Sequence, residues 1–248
     1  MHGLSRQLAV LAAALYNVIL NALAGAGLLF DTDTGAISDE FATGVTPAGP
    51  AFSIWSVIFL GVLVFAAWQA RPAARGPRYD ALAIPFITAN LLCGTWQLIW
   101  LNRFFSASAF VLFGIVAALV WLTLRLDRMD MTTTERWTLG VPTSLFLAWV
   151  TVAAPVNLTL WFYTLGWTDG TLWAPALIGV VSLIGAALLN RTGDVAFAAV
   201  LLWAFAWIAV EQSEATPLLI VLALGGLAII AATALAVRRG LSPLPVTR

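Results

Sequence analysis

The stretch TPAGPAFSIWSVIFLGVLVFAAWQA, residues 46–70, decides the fold. Pro47 and Pro50 each remove a backbone N–H and fix φ, and Gly49 relaxes the sterics between them. The segment therefore turns tightly before a helix that starts near Ala51. Residues 51–70 carry no charge, and about 20 apolar residues is the length that crosses a bilayer. A structured lid at the mouth of a helix bundle is the expectation here. The plainer alternative is a helix entry whose Trp55 and Trp68 are ordinary interfacial aromatics.

The rest of the chain repeats this apolarity. Of 248 residues, 61% are hydrophobic and only 10% are charged, too little polar surface to cover a water-soluble domain. A membrane barrel would show short alternating segments instead of long apolar runs. The class read from this is all-α, a polytopic membrane helix bundle. Spans are expected at 7–30, 51–70, 81–102, 105–125, 136–163, 173–190, 195–210 and 217–237, eight helices in all. The run at 195–210 is short and bounded by Asp194 and Glu211, so it is expected to be less tilted or partly re-entrant. The N-terminal run could imitate a signal peptide, but Asn17 and Asn21 interrupt it and it is kept as the first span. Thr132 and Glu135 have the spacing of a capping box ahead of the fifth span. Pro155 lies deep within that span and is expected to kink it. The tail from Gly240, with Pro243 and Pro245, reads as disordered.

Charge sets the orientation and excludes some functions. The net charge is +0 and the chain has no Lys, so nucleic acid has no electrostatic footprint to bind. With the N-terminus cytoplasmic, every arginine except Arg103 falls on the cytoplasmic side. Both termini are then inside and the loop 31–50 is outside, in a membrane read as the plasma membrane of a prokaryote. Cys93 is the only cysteine and His2 the only histidine, which removes internal disulfides, thiolate metal clusters and a Ser/His/Asp site. No charge falls mid-span, which argues against an ion-coupled transporter.

The polar groups inside spans are neutral. Asn17 and Asn21 share one face of the first helix, Asn90 and Gln97 one face of the third, and Asn157 follows Pro155 on the fifth. Each needs a partner in lipid, either a neighbouring helix or a ligand. Tryptophan is unusually frequent, at twelve residues. Trp68, Trp137, Trp167 and Trp173 sit near span ends, as interfacial belts do. Trp55, Trp96, Trp100 and Trp149 lie within spans, and Trp96/Trp100 and Trp203/Trp207 are each four apart on one face. Such rings either pack the bundle or line a pocket for a flat apolar ligand, where indole N–H groups bond a polar edge.

Three stretches together resemble the TspO/MBR family, the tryptophan-rich sensory proteins that include the translocator protein or peripheral benzodiazepine receptor. They are Pro47-Ala48-Gly49-Pro50-Ala51-Phe52-Ser53-Ile54-Trp55; Asn90-Leu91-Leu92 with Trp96 and then Phe104-Phe105; and Val141-Pro142 with Ala148-Trp149, Ala153-Ala154 and Asn157. The resemblance covers about residues 1–163, a five-helix core, and leaves 164–248 as a three-helix extension with a short tail. What it implies is a pocket that binds porphyrins or other apolar molecules such as sterols. Its ligand-binding residues would be Trp55, Trp96, Trp149, Asn157, Asn90, Asn17 and Phe52, with Asp39, Pro47 and Pro50 in the lid. No cofactor is required; a porphyrin enters as ligand, the partners are the bilayer and that ligand, and a homodimer stays open. The leading expectation is a membrane sensor or regulator for a tetrapyrrole. A transporter or facilitator of a small apolar molecule is the alternative. An enzyme is the third class, and no conventional acid/base or nucleophile set supports it.

Overall fold

The computed structural model describes residues 3–41, 43–167 and 173–241. The residues beyond 241, and with them Pro243 and Pro245, lie outside the described residues. The chain forms α1 (Gly3–Gly25), α2 (Thr34–Glu40), α3 (Ile54–Ala70), α4 (Asp80–Leu101), α5 (Phe105–Leu126), α6 (Thr133–Glu135), α7 (Val141–Thr164), α8 (Trp173–Thr192), α9 (Val195–Glu211) and α10 (Thr216–Arg238). A 3₁₀ turn, Gly49–Ser53, leads into α3, and a π turn, Arg136–Gly140, joins α6 to α7 in one rod. Seven of these helical segments are long and apolar enough to cross a membrane. The chain is a multi-pass membrane helix bundle. The seventh expected span, α9, has 17 residues, about 25 Å at 1.5 Å per residue and short of the ~30 Å hydrocarbon core. Asp194, buried, places its start: one carboxylate oxygen accepts from Phe197 N–H at 3.0 Å and the other from Ser144 Oγ on α7 at 2.5 Å.

Local chemistry sets the helix ends. The capping box forms as the spacing required, with Thr132 and Glu135 each accepting from the other's backbone N–H. The first helix stops earlier than the expected residue 30. Gly27, at φ +66°, takes the left-handed position, Leu28 N–H bonds Leu23 O at 2.9 Å and Gly27 N–H bonds Ala24 O at 3.1 Å. This pair of bonds satisfies the last carbonyls and turns the chain out of the helix. Phe30 and Asp31, both at positive φ, then make a tight turn bridged by Leu29 and Thr32. Arg103 plays Gly27's role after α4 without being glycine, at φ +61°, a conformation that costs an L-residue about 1 kcal/mol.

Packing closes a ring: α1 lies against α3 and α4, α4 against α5, α5 against α7, and α7 back against α3. α4 and the α6–α7 rod are the most enclosed. Outside the ring α9 packs on α7, and α10 bridges α9 and α8. Close approach depends on small residues at particular places. A Cβ on Gly61 would lie 3.2 Å from Pro142 Cβ, and one on Gly225 would lie 2.9 Å from Ser182 Cβ. Ser182 thus serves a helix contact on α8, facing Gly225 of α10.

Arg6, Arg75 and Arg78 gather at one end of the bundle. Arg6, fully buried, pairs with Asp80 at 3.0 Å and bonds Ala74 O. Arg75 donates to Gln7 Oε1, and Arg78 reaches Glu135 at 3.1 Å. Arg103 sits at the opposite end, held to Glu40 of α2 by two hydrogen bonds of 2.6 and 2.7 Å.

Candidate functional site

Between these ends, under the loop 31–50, lies a slot walled by aromatic rings. Trp55 of α3 and Trp149 of α7 meet edge to face at 6.2 Å, and Phe52 meets Trp149 at the same distance and angle. Opposite them Trp96 and Trp100 of α4 stack at 5.5 Å and 21°. Val152, Ala153, Val156, Asn157 and Leu160 continue the α7 wall, Leu112 comes from α5, and Ala204 and Ile208 come from α9. Thr34, Ser38, Thr46 and Pro47 form the roof. The lining holds no charged side chain.

One donor in this lining is unspent. Trp149 Nε1 is buried without a partner. Asn157 gives its carbonyl oxygen to Ser108 Oγ at 2.8 Å, and Ser108 in turn accepts from Trp96 Nε1 at 2.8 Å. A buried donor left unpaired costs about 1–3 kcal/mol, so a ligand acceptor within reach of Trp149 Nε1 would relieve that cost.

The slot is narrow, about 50 Å³, against the several hundred Å³ of drug-sized sites. Beside it lies a vestibule of about 470 Å³ between α1, α2 and α3, lined by Asn21, Asp33, Gln97, Phe59 and small residues. Thr34, Phe52 and Trp55 belong to both linings and form the partition.

The structure brings together Trp55, Trp96, Trp149, Asn157, Phe52 and Pro47 from the sequence reading. It does not bring Asn17 or Asn90 there. Asn17 Nδ2 donates to Asn90 Oδ1 at 2.8 Å, Asn21 Nδ2 to Asn17 Oδ1 at 2.8 Å, Gln97 Nε2 to Asn21 Oδ1 at 2.6 Å, and Thr34 Oγ1 to Gln97 Oε1 at 2.8 Å. This ladder satisfies the amides between α1 and α4, as membrane-buried amides require. Asp39 and Pro50 are exposed and outside the lining. Sequence reasoning put Trp100 on the face of Trp96 without naming it a ligand-binding residue, and it missed Thr34, Ser38 and Thr46 of the roof and Ala204 and Ile208 of α9.

The loop carrying the roof has defined local structure. Asp33 caps α2 by accepting from Gly35 and Ala36 N–H at 2.8 and 2.9 Å. Val45, Thr46, Pro47 and Ala48 are buried. Trp100 Nε1 donates to Thr34 O at 3.3 Å. The hydrogen bond from Arg103 holds the Glu40 carboxyl below its usual range.

The sequence matches the family model of TSPO-like proteins over residues 7–236, which runs past residue 163 and through α8, α9 and most of α10. No curated protein and no solved structure matches the chain.

Proposed function

The chain belongs to the TSPO-like protein family, and from that premise we propose that it binds a flat, largely apolar molecule of the tetrapyrrole kind and acts as its membrane sensor or regulator. The observation that carries this reading is the slot itself: stacked and edge-on indoles, no charge, and an unpaired N–H donor at Trp149. Ring faces stack on a flat ligand and the Trp149 N–H bonds its acceptor edge. At about 50 Å³ the slot is shut against any ligand of that size. Binding is therefore coupled to opening, with Thr34, Phe52 and Trp55 parting so that slot and vestibule join. The apparent affinity then falls in proportion to the open fraction of the protein. The lid faces the outside and both termini the cytoplasm, on the strength of the arginine distribution.

A thermal-shift screen on detergent-purified protein with porphyrins, hemes, carotenoids and sterols tests the ligand class. Ligand at about 100 times its Kd stabilises the protein by about 2.7 kcal/mol, so a porphyrin is expected to raise Tm saturably. Stabilisation by sterols alone would overturn the tetrapyrrole assignment. The vestibule beside the slot favours a second reading, facilitated passage of the same molecule. Flux in reconstituted vesicles separates it from sensing.

A further inference from the structure

We propose that α9 is a working part of the site, with Ala204 and Ile208 setting its outer wall and Trp203, Trp207 and Gln212 holding the second half of the lid shut. The proposal rests on the ligand-binding reading for its consequence, but its structural core does not need a ligand.

The lid has two halves with different supports. Its first half, α2, is held by α4 and the turn after it, through Thr34 with Gln97 and Trp100 and through Glu40 with Arg103. Its second half, 43–51, is buried for most of its length and lacks regular structure until the 3₁₀ turn. Buried irregular backbone has to find partners for its polar groups, and Pro47 and Pro50 supply no N–H.

α9 provides those partners. Gln212 Nε2 donates to Thr43 O at 3.0 Å and to Thr46 O at 3.3 Å. Trp203 Nε1 donates to Ala51 O at 3.1 Å, and Ala48 N–H donates to Trp207 O at 3.1 Å. On the lid side every one of these groups is backbone, and on the α9 side two are the side chains of Trp203 and Gln212 while the third is the Trp207 carbonyl. The same helix face carries Ala204 and Ile208 into the slot. At its other end α9 is anchored to α7 through Asp194 and Ser144. A ligand that enters under the second half of the lid must therefore break or bend the α9 contacts, and a change at α9 alters its rate of escape.

The test uses full-length protein with Gln212→Met, which keeps the side-chain length and removes the donor, and Trp203→Phe, which keeps a ring and removes the N–H. Amide hydrogen exchange is followed in peptides covering 43–53 and in α5 as reference, and dissociation of protoporphyrin is timed by absorbance. Each variant is expected to raise exchange at 43–53 by roughly tenfold with α5 unchanged, and to speed porphyrin release by a similar factor. Unchanged exchange at 43–53 in both variants would overturn the proposal. If Gln212→Met loosens α5 as well, Trp203→Phe decides by the same criterion. If the lid loosens while porphyrin fails to bind, α9 stands as the lid's clamp and the tetrapyrrole reading falls by itself.

Discussion

Replacing Asn17 with Leu separates the two roles that amides play in this bundle. Leu branches at Cγ as Asn does and is larger, so the change opens no cavity, and any overpacking adds to the loss from the broken bonds. It removes the Asn17–Asn90 bond and the side-chain bond from Asn21, while Asn21 keeps its second acceptor, the Asn17 backbone carbonyl, at 2.9 Å. Interhelical polar contacts in membranes contribute about 0.6 kcal/mol on average and up to ~1.7. The Asn90 carbonyl, left buried without its donor, adds a penalty on the order of 1 kcal/mol. The expected loss is about 2 kcal/mol, roughly thirtyfold in the unfolding equilibrium. SDS-driven unfolding in mixed micelles measures it, and a porphyrin titration of the same variant should agree with the parent to within about twofold, since one affinity decade is 1.4 kcal/mol and Asn17 lines neither slot nor vestibule. Unchanged stability combined with a tenfold loss of affinity would refute the reasoning and make Asn17 a ligand group.

Acidification is expected to free α2. Arg103 depresses the Glu40 carboxyl, so the stabilisation is present above the ordinary carboxylate pKa and is lost as pH falls through the lower folded value; proteolysis near Thr43 should rise there, and Glu40→Gln should abolish that dependence. Gly225→Ala would press a Cβ against Ser182 and to 3.3 Å from Phe205 Cε2, a form of overpacking that costs about 1–3 kcal/mol, read as a lower Tm. In a Cys93→Ala background, Asp39→Cys and Asp127→Cys, both exposed, should be labelled from opposite faces, Asp39→Cys from outside. Labelling of both from one face would contradict the bundle's polarity.

How much of this was legible in the sequence depended on whether the signal was local. Length and apolarity carried the helices, and the Thr132–Glu135 spacing carried a cap that forms as expected. The end of α1 was misplaced because Leu28 and Phe30 extend the apolar run, while the chain obeys Gly27 instead. Nothing in the sequence marks Arg103 as left-handed, since that conformation is usual for glycine. In the site, Trp55, Trp149 and Asn157 were named through the family resemblance, since ring placement alone fitted packing as well as a pocket. Asn17 and Asn90 were not separable from them, because an amide in lipid needs a partner whether it holds a helix or a ligand. Ala204 and Ile208 carry no local mark at all; only the packing of α9 on α7 places them in the slot.

Soret titration of the purified protein against Trp55→Leu, Trp149→Leu and the control Trp137→Leu distinguishes binding in the slot from partitioning at the membrane interface. Trp55 and Trp149 wall the slot, whereas Trp137 is 58% exposed at the far end of the bundle. Losing one aromatic contact costs on the order of 1 kcal/mol, roughly fivefold in affinity. The account expects saturable binding by the parent, weakened about that much by each of the first two substitutions and left unchanged by the third. Equal weakening by all three, or no saturable binding in the parent, would contradict it.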